Sequence, residues 1–395
     1  MVITQGIVRS FTAAGDGPAD VVLSGTEESW EKTLSAVPPP YHVNVLSFSS
    51  GVVVKGEVVD TVGPFAPAIL RFGQLLRELH SGPPVSEPVD SGDPWPETDN
   101  AVGRYVRVKV HGVTYRVYYE EAGHGSIPLL LQATAGTDSR QWRNVLANPE
   151  LQKRFRMIAF DLPYHGKSLP PADGFPWWES EYAVSKEDLM DRVVAISDAI
   201  GLDRPIFMGC SVGGQLATDL AAHHGSKFRA LVSINGWYES SALTSIRNYL
   251  FHHPRIWPEY FGAFVMAATS PVAPEVLRRE TYWIYSSGGP GVYRGDNDYM
   301  SLGHDLREDG HLIDTTVSPL WVLAGEYDPT AREGVQGGAR AIADNIDGAH
   351  YRVLEGLGHF MMSDDPVGFC AQITPILDEV VADLSARQTA GLAGS

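Results

Sequence analysis

Cysteine is scarce: Cys210 and Cys370 are the two in 395 residues, too few for a disulfide framework or a zinc cluster. Positive charge is also short, with 30 lysines and arginines against 48 acidic residues and a net charge of −18 at pH 7. A field of that sign repels nucleic acid and anionic membranes, so neither is an expected partner. No stretch approaches the roughly 18 consecutive apolar residues that a membrane span requires. The first ten residues, MVITQGIVRS, show no basic segment followed by an apolar one and a small-residue cleavage site, and the expectation is a cytoplasmic chain. No G-x-G-x-x-G follows a strand-like run, so no nucleotide cofactor is implied. What is present, 44% hydrophobic and 20% charged residues, is ordinary globular composition and excludes wholesale disorder.

The clearest seam is residues 81–103, SGPPVSEPVDSGDPWPETDNAVG, whose five prolines and lack of an aliphatic run suit an extended connector. Ahead of it, residues 1–80 contain GVVVKGEVVDTV at Gly51–Val62, expected as a hairpin or a strand broken near Gly56. Pro67–His80 follows, with Ile69, Phe72, Leu76 and Leu79 at helical spacing. That region carries no chemical motif and is expected to be a packing or homo-oligomerisation module.

Beyond the seam the rhythm changes. Tyr105–Val110 and Thr114–Glu120 suit an antiparallel pair turning at His111–Gly112. Short apolar runs at Ile127–Gln132, Met157–Asp161, Pro205–Gly209, Ala230–Ile234, Leu320–Ala324 and Tyr351–Leu354 then alternate with helical stretches at Gln141–Arg154, Ser185–Ile200 and Gly213–His223. The pattern implies an α/β fold, a mostly parallel, doubly wound sheet with helices on both faces and its site at the carboxyl ends of the strands. From Tyr238 to Val317 no strand-like run occurs, yet aromatics are dense. Residues 238–317 are therefore expected as a helical lid over a core of residues 104–237 and 318–387. Trp237, Tyr249, Trp257, Phe261 and Tyr285 are the candidate substrate wall.

The sharpest signal is PIFMGCSVGG at 205–214, which holds G-x-S-x-G as Gly209-Cys210-Ser211-Val212-Gly213 between a strand and a helix. A tight strand-to-helix turn lifts the serine hydroxyl above the sheet, Gly209 and Gly213 leave room for the close approach, and the Val212 N–H faces a developing oxyanion. A serine needs a base, and the base an orienting acid. Asp328 follows the strand at Leu320–Ala324, and His359 lies in the glycine-rich loop after Tyr351–Leu354.

Serine, acid, histidine in that order resembles the α/β-hydrolases, and the resemblance runs from Tyr105 to Leu384. It implies a Ser211–Asp328–His359 triad, an α/β-hydrolase fold with a helical lid, and no cofactor or metal. FDLPYHGKS at 160–168 is similar to the family's D-x-x-G-x-G-x-S loop, with Tyr164 in place of the first glycine. Where lid-bearing members carry His-Gly after the third strand, this chain has Ala133-Thr134, and spacing assigns the second oxyanion donor to the backbone N–H of Ala135. The implied reaction is hydrolysis of a small-molecule carboxylic ester with a mainly apolar body. A carbon–carbon bond hydrolase for vinylogous diketones uses the same three residues, and a hydrolase-like small-ligand receptor is the alternative from another class.

Rival residues have simpler readings. Glu326 alternates with Asp328 along an extended segment and should face away from the histidine. Cys210 should pack away from the pocket, Asp138, Ser139 and Arg140 should anchor the following helix, and His165 is placed near the site's edge. HDLREDGH at 304–311 lacks a metal-ligand spacing and is expected to be a solvated hinge.

Overall fold

The computed structural model describes residues 2–4, 7–10, 20–47, 50–82, 98–171, 173–241, 252–331, 335 and 337–393. Residues 83–97, most of the expected connector, and Tyr249 lie outside them. Eight strands make the central sheet: β1 (Val102–Val110), β2 (Val113–Ala122), β3 (Ile127–Gln132), β4 (Phe155–Phe160), β5 (Ile206–Cys210), β6 (Ala230–Ile234), β7 (Leu320–Gly325) and β8 (His350–Leu354). Seven helices matter below: α1 (Ala66–Ser81), α2 (Lys186–Ile200), α3 (Val212–His224), α4 (Glu259–Val265), α5 (Glu275–Ser286), α6 (Val292–Asp298) and α7 (Pro366–Ala393).

In space the strands run β1-β2-β4-β3-β5-β6-β7-β8. The β1–β2 and β2–β4 pairs are antiparallel, and every pairing from β4 to β8 is parallel. His111 (φ 48°) and Gly112 (φ 84°) make the two-residue turn between β1 and β2, both on the positive side that a tight hairpin requires. The period of two assigns the faces. Leu130, Ile158, Phe207, Leu231 and Val322 meet Leu189, Val193 and Ile196 of α2 and Leu216 and Leu220 of α3. Their chain neighbours Leu129, Leu131, Met157, Met208, Val232 and Leu323 meet Trp142, Leu146, Phe369, Ile373 and Leu377 on the other face. Both faces of the inner strands are covered, and β3, β5, β6 and β7 are accordingly almost wholly buried, whereas the edge strands β1 and β8 are largely exposed. No described helix is long and apolar enough to cross a membrane.

Helix boundaries follow local chemistry. Ser185 caps α2 by accepting the Asp188 N–H, and Gly201 ends it in the left-handed conformation. The single helix expected over Gln141–Arg154 is three pieces instead: a 3-10 turn at Ser139–Trp142, then helices at Arg143–Leu146 and Pro149–Arg154. Asn148 starts the last one by accepting the N–H groups of Glu150 and Leu151, with Pro149 at its first position. The core begins at Val102 and α7 runs to Ala393, both slightly outside the expected bounds of 104 and 387.

The N-terminal region departs further. The strand at Val53–Gly56 pairs with Val21–Ser24, not with a second strand of its own segment. Glu57 accepts the Asp60 N–H at 2.6 Å and starts a helical turn at Val58–Val62, which excludes a hairpin and agrees with the alternative, a strand broken near Gly56. Helix α1 forms where expected, but its buried stripe is Ile69, Leu70 and Gly73, and Leu79 is exposed. That stripe has a specific partner: Val59, Ala66 and Leu70 pack with Tyr260, Ala263 and Met266 of the segment between β6 and β7. An ion pair from Arg255 to Asp60 and a hydrogen bond from Arg279 to Gln74 (3.1 Å) flank the contact.

Between β6 and β7, the described residues of 238–317 are helical, with α4, α5 and α6 as the main elements. Three contacts lay this insertion over the carboxyl edge of the sheet. His359 N–H donates to the Ala268 carbonyl at 2.8 Å, Thr134 is hydrogen-bonded to the Tyr285 hydroxyl, and Gly136 N–H donates to Asp296 at 2.7 Å. His304 is not a solvated hinge residue. It is buried, with Nδ1 2.9 Å from Asp219 and Nε2 2.7 Å from the Trp237 carbonyl, because Asp219 of α3 needs partners that solvent does not supply there.

Candidate active site

Ser211 sits between β5 and α3 at φ 59° and ψ −112°. A non-glycine residue held there stores on the order of 1–3 kcal/mol, which the surrounding packing must sustain. The packing is tight. A Cβ on Gly209 would lie 2.3 Å from the Gly213 carbonyl oxygen, and one on Gly213 would lie 2.6 Å from Gln132 Cγ. Ser211 N–H donates to the Ile234 carbonyl at 2.9 Å, tying the turn to the end of β6. Helix α3 then starts at Val212 and directs its positive end toward the serine.

Asp328 and His359 are brought together at the ends of β7 and β8. His359 Nδ1 is hydrogen-bonded to Asp328 Oδ2. The other carboxylate oxygen of this fully buried residue accepts the Thr330 N–H at 2.8 Å and the Thr330 hydroxyl. Cys210, next to the serine, is buried beneath the histidine loop, its thiol 3.2 Å from the His359 carbonyl. Burial, with the Asp328 and Asp364 charges, pushes that thiol well above its ordinary range, so it is an inert packing group. Glu326 turns away, accepting the Gly356 N–H at 2.8 Å.

The loop after β3 is held by side chains on both sides. Thr134 N–H donates to Gln141 Oε1 at 3.0 Å, Gly136 N–H to Asp296 Oδ2 at 2.7 Å, and Thr137 N–H to the Thr134 carbonyl at 3.3 Å. Between them, the Ala135 N–H meets no acceptor among the described residues, and neither does the Val212 N–H. These are the two donors assigned from the sequence. Asp138 accepts the Arg140 N–H and is ion-paired with its guanidinium (2.6 Å), which also reaches Ser287 of the insertion at 2.9 Å.

Of the expected wall residues, Tyr285 and Phe261 lie in one aromatic cluster with Tyr293 and Phe360. Tyr285 is 5.2 Å from the ring of Phe360, which follows His359, and Phe261 is 5.3 Å from Tyr293. Trp237 follows β6, and its carbonyl is used by His304. Trp257 is 71% exposed and is corrected on that ground. It precedes α4, whose inward face is already occupied by α1.

Several residues at the site were not anticipated. Asn235, at φ 51°, donates to the His359 carbonyl at 3.0 Å and accepts the Gly325 N–H at 2.9 Å, joining the histidine loop to the end of β7. Its position directly after a strand was the available signal. Gln141 falls inside the helical stretch that the sequence suggests at Gln141–Arg154, and Asp296 lies in a polar run that carries no signal. His165 is buried with Nε2 2.8 Å from Asp296 and Nδ1 3.0 Å from the Pro163 carbonyl. Burial acts to lower its pKa, but the Asp296 carboxylate and the carbonyl prevail and raise it. Tyr164 adopts φ 74°, the left-handed shape glycine would serve at that position, with its ring 4.9 Å from that of Tyr182.

Comparison with known proteins agrees with this architecture. The family described as alpha/beta hydrolase fold matches residues 127–366. A 2-hydroxy-6-oxononadienedioate/2-hydroxy-6-oxononatrienedioate hydrolase of Burkholderia vietnamiensis is 30% identical over 143 residues, 35% of this chain and 46% of the relative. A hydrolase of the same description from Escherichia coli O9:H4 is 24% identical over 144 residues, 36% of this chain and 47% of the relative. The chain thus spans about half the length of the curated relatives it matches. Among solved structures, the enol-lactonase from Burkholderia xenovorans superposes with a TM-score of 0.57 at 20% identity, over 71% of this chain and 100% of the other. A thermophilic esterase from Thermogutta terrifontis gives 0.59 at 17% identity, over 71% and 99%. These two likenesses establish the fold.

Proposed function

The chain belongs to the α/β-hydrolase family, and from that premise we propose that it is a serine hydrolase cleaving a carboxylic ester of a mainly apolar small molecule through an acyl-enzyme. His359, held by Asp328 through Nδ1, takes the Ser211 proton on Nε2 as the hydroxyl attacks the ester carbonyl. The N–H groups of Val212 and Ala135 receive the oxyanion. His359 then protonates the departing alcohol, and water, activated by the same imidazole, releases the acid. The carrying observation is the hydrogen-bonded pair of buried Asp328 and part-exposed His359, with a strained Ser211 turn and two unused backbone donors. The aromatic cluster of Phe261, Tyr285, Tyr293 and Phe360 supports an apolar acyl or alcohol group.

The test is steady-state hydrolysis of p-nitrophenyl esters from acetate to decanoate. Wild type should turn over, and Ser211→Ala should lose at least about 10⁴-fold in kcat with the fold intact. Near-normal turnover by Ser211→Ala would sink the assignment. The match to 2-hydroxy-6-oxononadienedioate hydrolases favours a second reading, carbon–carbon hydrolysis of a vinylogous diketone by the same residues. Silence across the ester series with Ser211-dependent turnover of 2-hydroxy-6-oxononadienedioate would select it.

A further inference from the structure

Asp296 lies on α6 of the insertion and is fully buried, yet it is one of the most engaged carboxylates in the molecule. Its Oδ2 accepts the Gly136 N–H at 2.7 Å and faces His165 Nε2 at 2.8 Å, and its Oδ1 accepts the Tyr182 hydroxyl at 3.1 Å. Both His165 ring nitrogens face oxygens, Asp296 and the Pro163 carbonyl, an arrangement that the imidazolium satisfies by donating from both, and the Asp296 carboxylate raises the pKa of this ring. A buried carboxylate is costly unless paired and hydrogen-bonded, and this one has an imidazolium, a phenol and a backbone amide. Burying an ion pair where an apolar pair would fill the space is weak evidence for a stabilising role alone.

The amide it holds belongs to the residue directly after Ala135. Two peptide planes meet at Ala135. The first carries the Ala135 N–H, and its carbonyl, that of Thr134, accepts the Thr137 hydroxyl at 2.7 Å and the Thr137 N–H at 3.3 Å. The second carries the Gly136 N–H and is held by Asp296. Gly136 is at φ 67°, and a Cβ there would lie 2.7 Å from Tyr293 Cβ on the same helix, α6. Glycine is thus required for the close approach, and it also makes a flip of the second plane cheap once its hydrogen bond is lost.

We infer that Asp296 is a positioning residue: from the insertion, it fixes the loop so that the Ala135 N–H points at the reacting oxygen, with His165 and Tyr182 orienting its carboxylate. The inference rests on the proposed serine-hydrolase reading and deepens it. The oxyanion hole is then complete only while α6 is seated on the core.

The experiment uses the full chain as wild type, Asp296→Ala and Asp296→Asn. The asparagine can place its oxygen where Oδ2 stands, and its NH2 can donate to the Tyr182 hydroxyl, so the Gly136 bond survives. Turnover is read on p-nitrophenyl butyrate, tetrahedral-adduct affinity with an alkyl trifluoromethyl ketone, and loop order by hydrogen exchange of residues 133–142. Asp296→Ala should lose about a hundredfold in kcat, with KM changed less than about threefold. The ketone should weaken in step with kcat and Gly136 should lose protection, while Asp296→Asn should recover most of all three. If the alanine variant does not fold, Asp296→Ala combined with His165→Ala removes both buried charges and is held to the same expectation. Wild-type kcat, a loss confined to KM, unchanged exchange, or no rescue by asparagine would each overturn the inference. A wild type inert toward both ester and ketone would count against the ester reading, and the exchange result would still decide the role of Asp296.

Discussion

Asp328→Asn is the sharpest test of the proposed chemistry, because the structure dictates how the amide must sit. In the wild type, Oδ1 accepts the Thr330 N–H at 2.8 Å and the Thr330 hydroxyl, and Oδ2 faces His359 Nδ1. A backbone N–H can only donate, so the asparagine must keep its oxygen at Thr330 and turn its NH2 toward the histidine. Nδ1 must then accept, which leaves the imidazole proton on Nε2, the nitrogen proposed to take the Ser211 proton. The base is blocked without any change of shape. Loss of a tautomer in such a triad lowers kcat by about 10⁴-fold, or roughly 5 kcal/mol of activation free energy. The substitution is isosteric and removes a buried charge, so folding should persist. The assay is kcat and KM on the best p-nitrophenyl ester at neutral pH, with thermal unfolding as the control. An asparagine variant within tenfold of wild type would refute the assignment of Asp328 as the orienting acid.

Two further outcomes concern stability. Leu70→Ala empties a position 2% exposed between α1 and α4, where lost transfer energy and the residual cavity together cost about 3 kcal/mol in urea unfolding. A change below about 1 kcal/mol would contradict the packing of the N-terminal region on the insertion. Burial raises the Asp364 carboxyl to about 7, with the Asp365 charge adding and the Ser270 N–H, Arg278 and His359 opposing. The folded chain therefore binds this proton more tightly than the unfolded one, whose aspartate titrates near ~4, and the group's stabilisation is present below that range and lost as pH rises through about 7. Asp364→Asn should accordingly be more stable than wild type at pH 8, with the advantage vanishing toward pH 4. Equal pH dependence in the two proteins would exclude Asp364 as the source.

Much of the site was legible because its residues carry local signals. The glycines around Ser211 mark a turn that no Cβ can enter, Asp328 follows an apolar run that reads as a buried strand, and His359 lies in a glycine-rich loop after the short edge strand β8. Ala135 is assigned by spacing alone, and its N–H has no acceptor among the described residues. The hairpin at His111–Gly112 and the cap at Ser185 follow from the same short-range logic. Where sequence reading failed, the deciding interaction was distant in the chain. The Val53–Gly56 strand finds its partner some thirty residues earlier. The buried stripe of α1 is set by Tyr260 and Met266, and Leu79 is exposed although its spacing fits the helix.

Sequence alone determined the order of elements, the mostly parallel sheet, and the three residues proposed for chemistry, because period, turn glycines and strand-end positions are encoded within a few residues of each other. Tertiary structure decided what surrounds them. It set the α1 region against the insertion and turned His304 inward to Asp219. It brought Asp296 within hydrogen-bond reach of Gly136, 160 residues away. A carboxylate in a polar helical run looks solvated in the sequence. Only the closing of the insertion over the sheet edge removes its water and obliges it to find other partners.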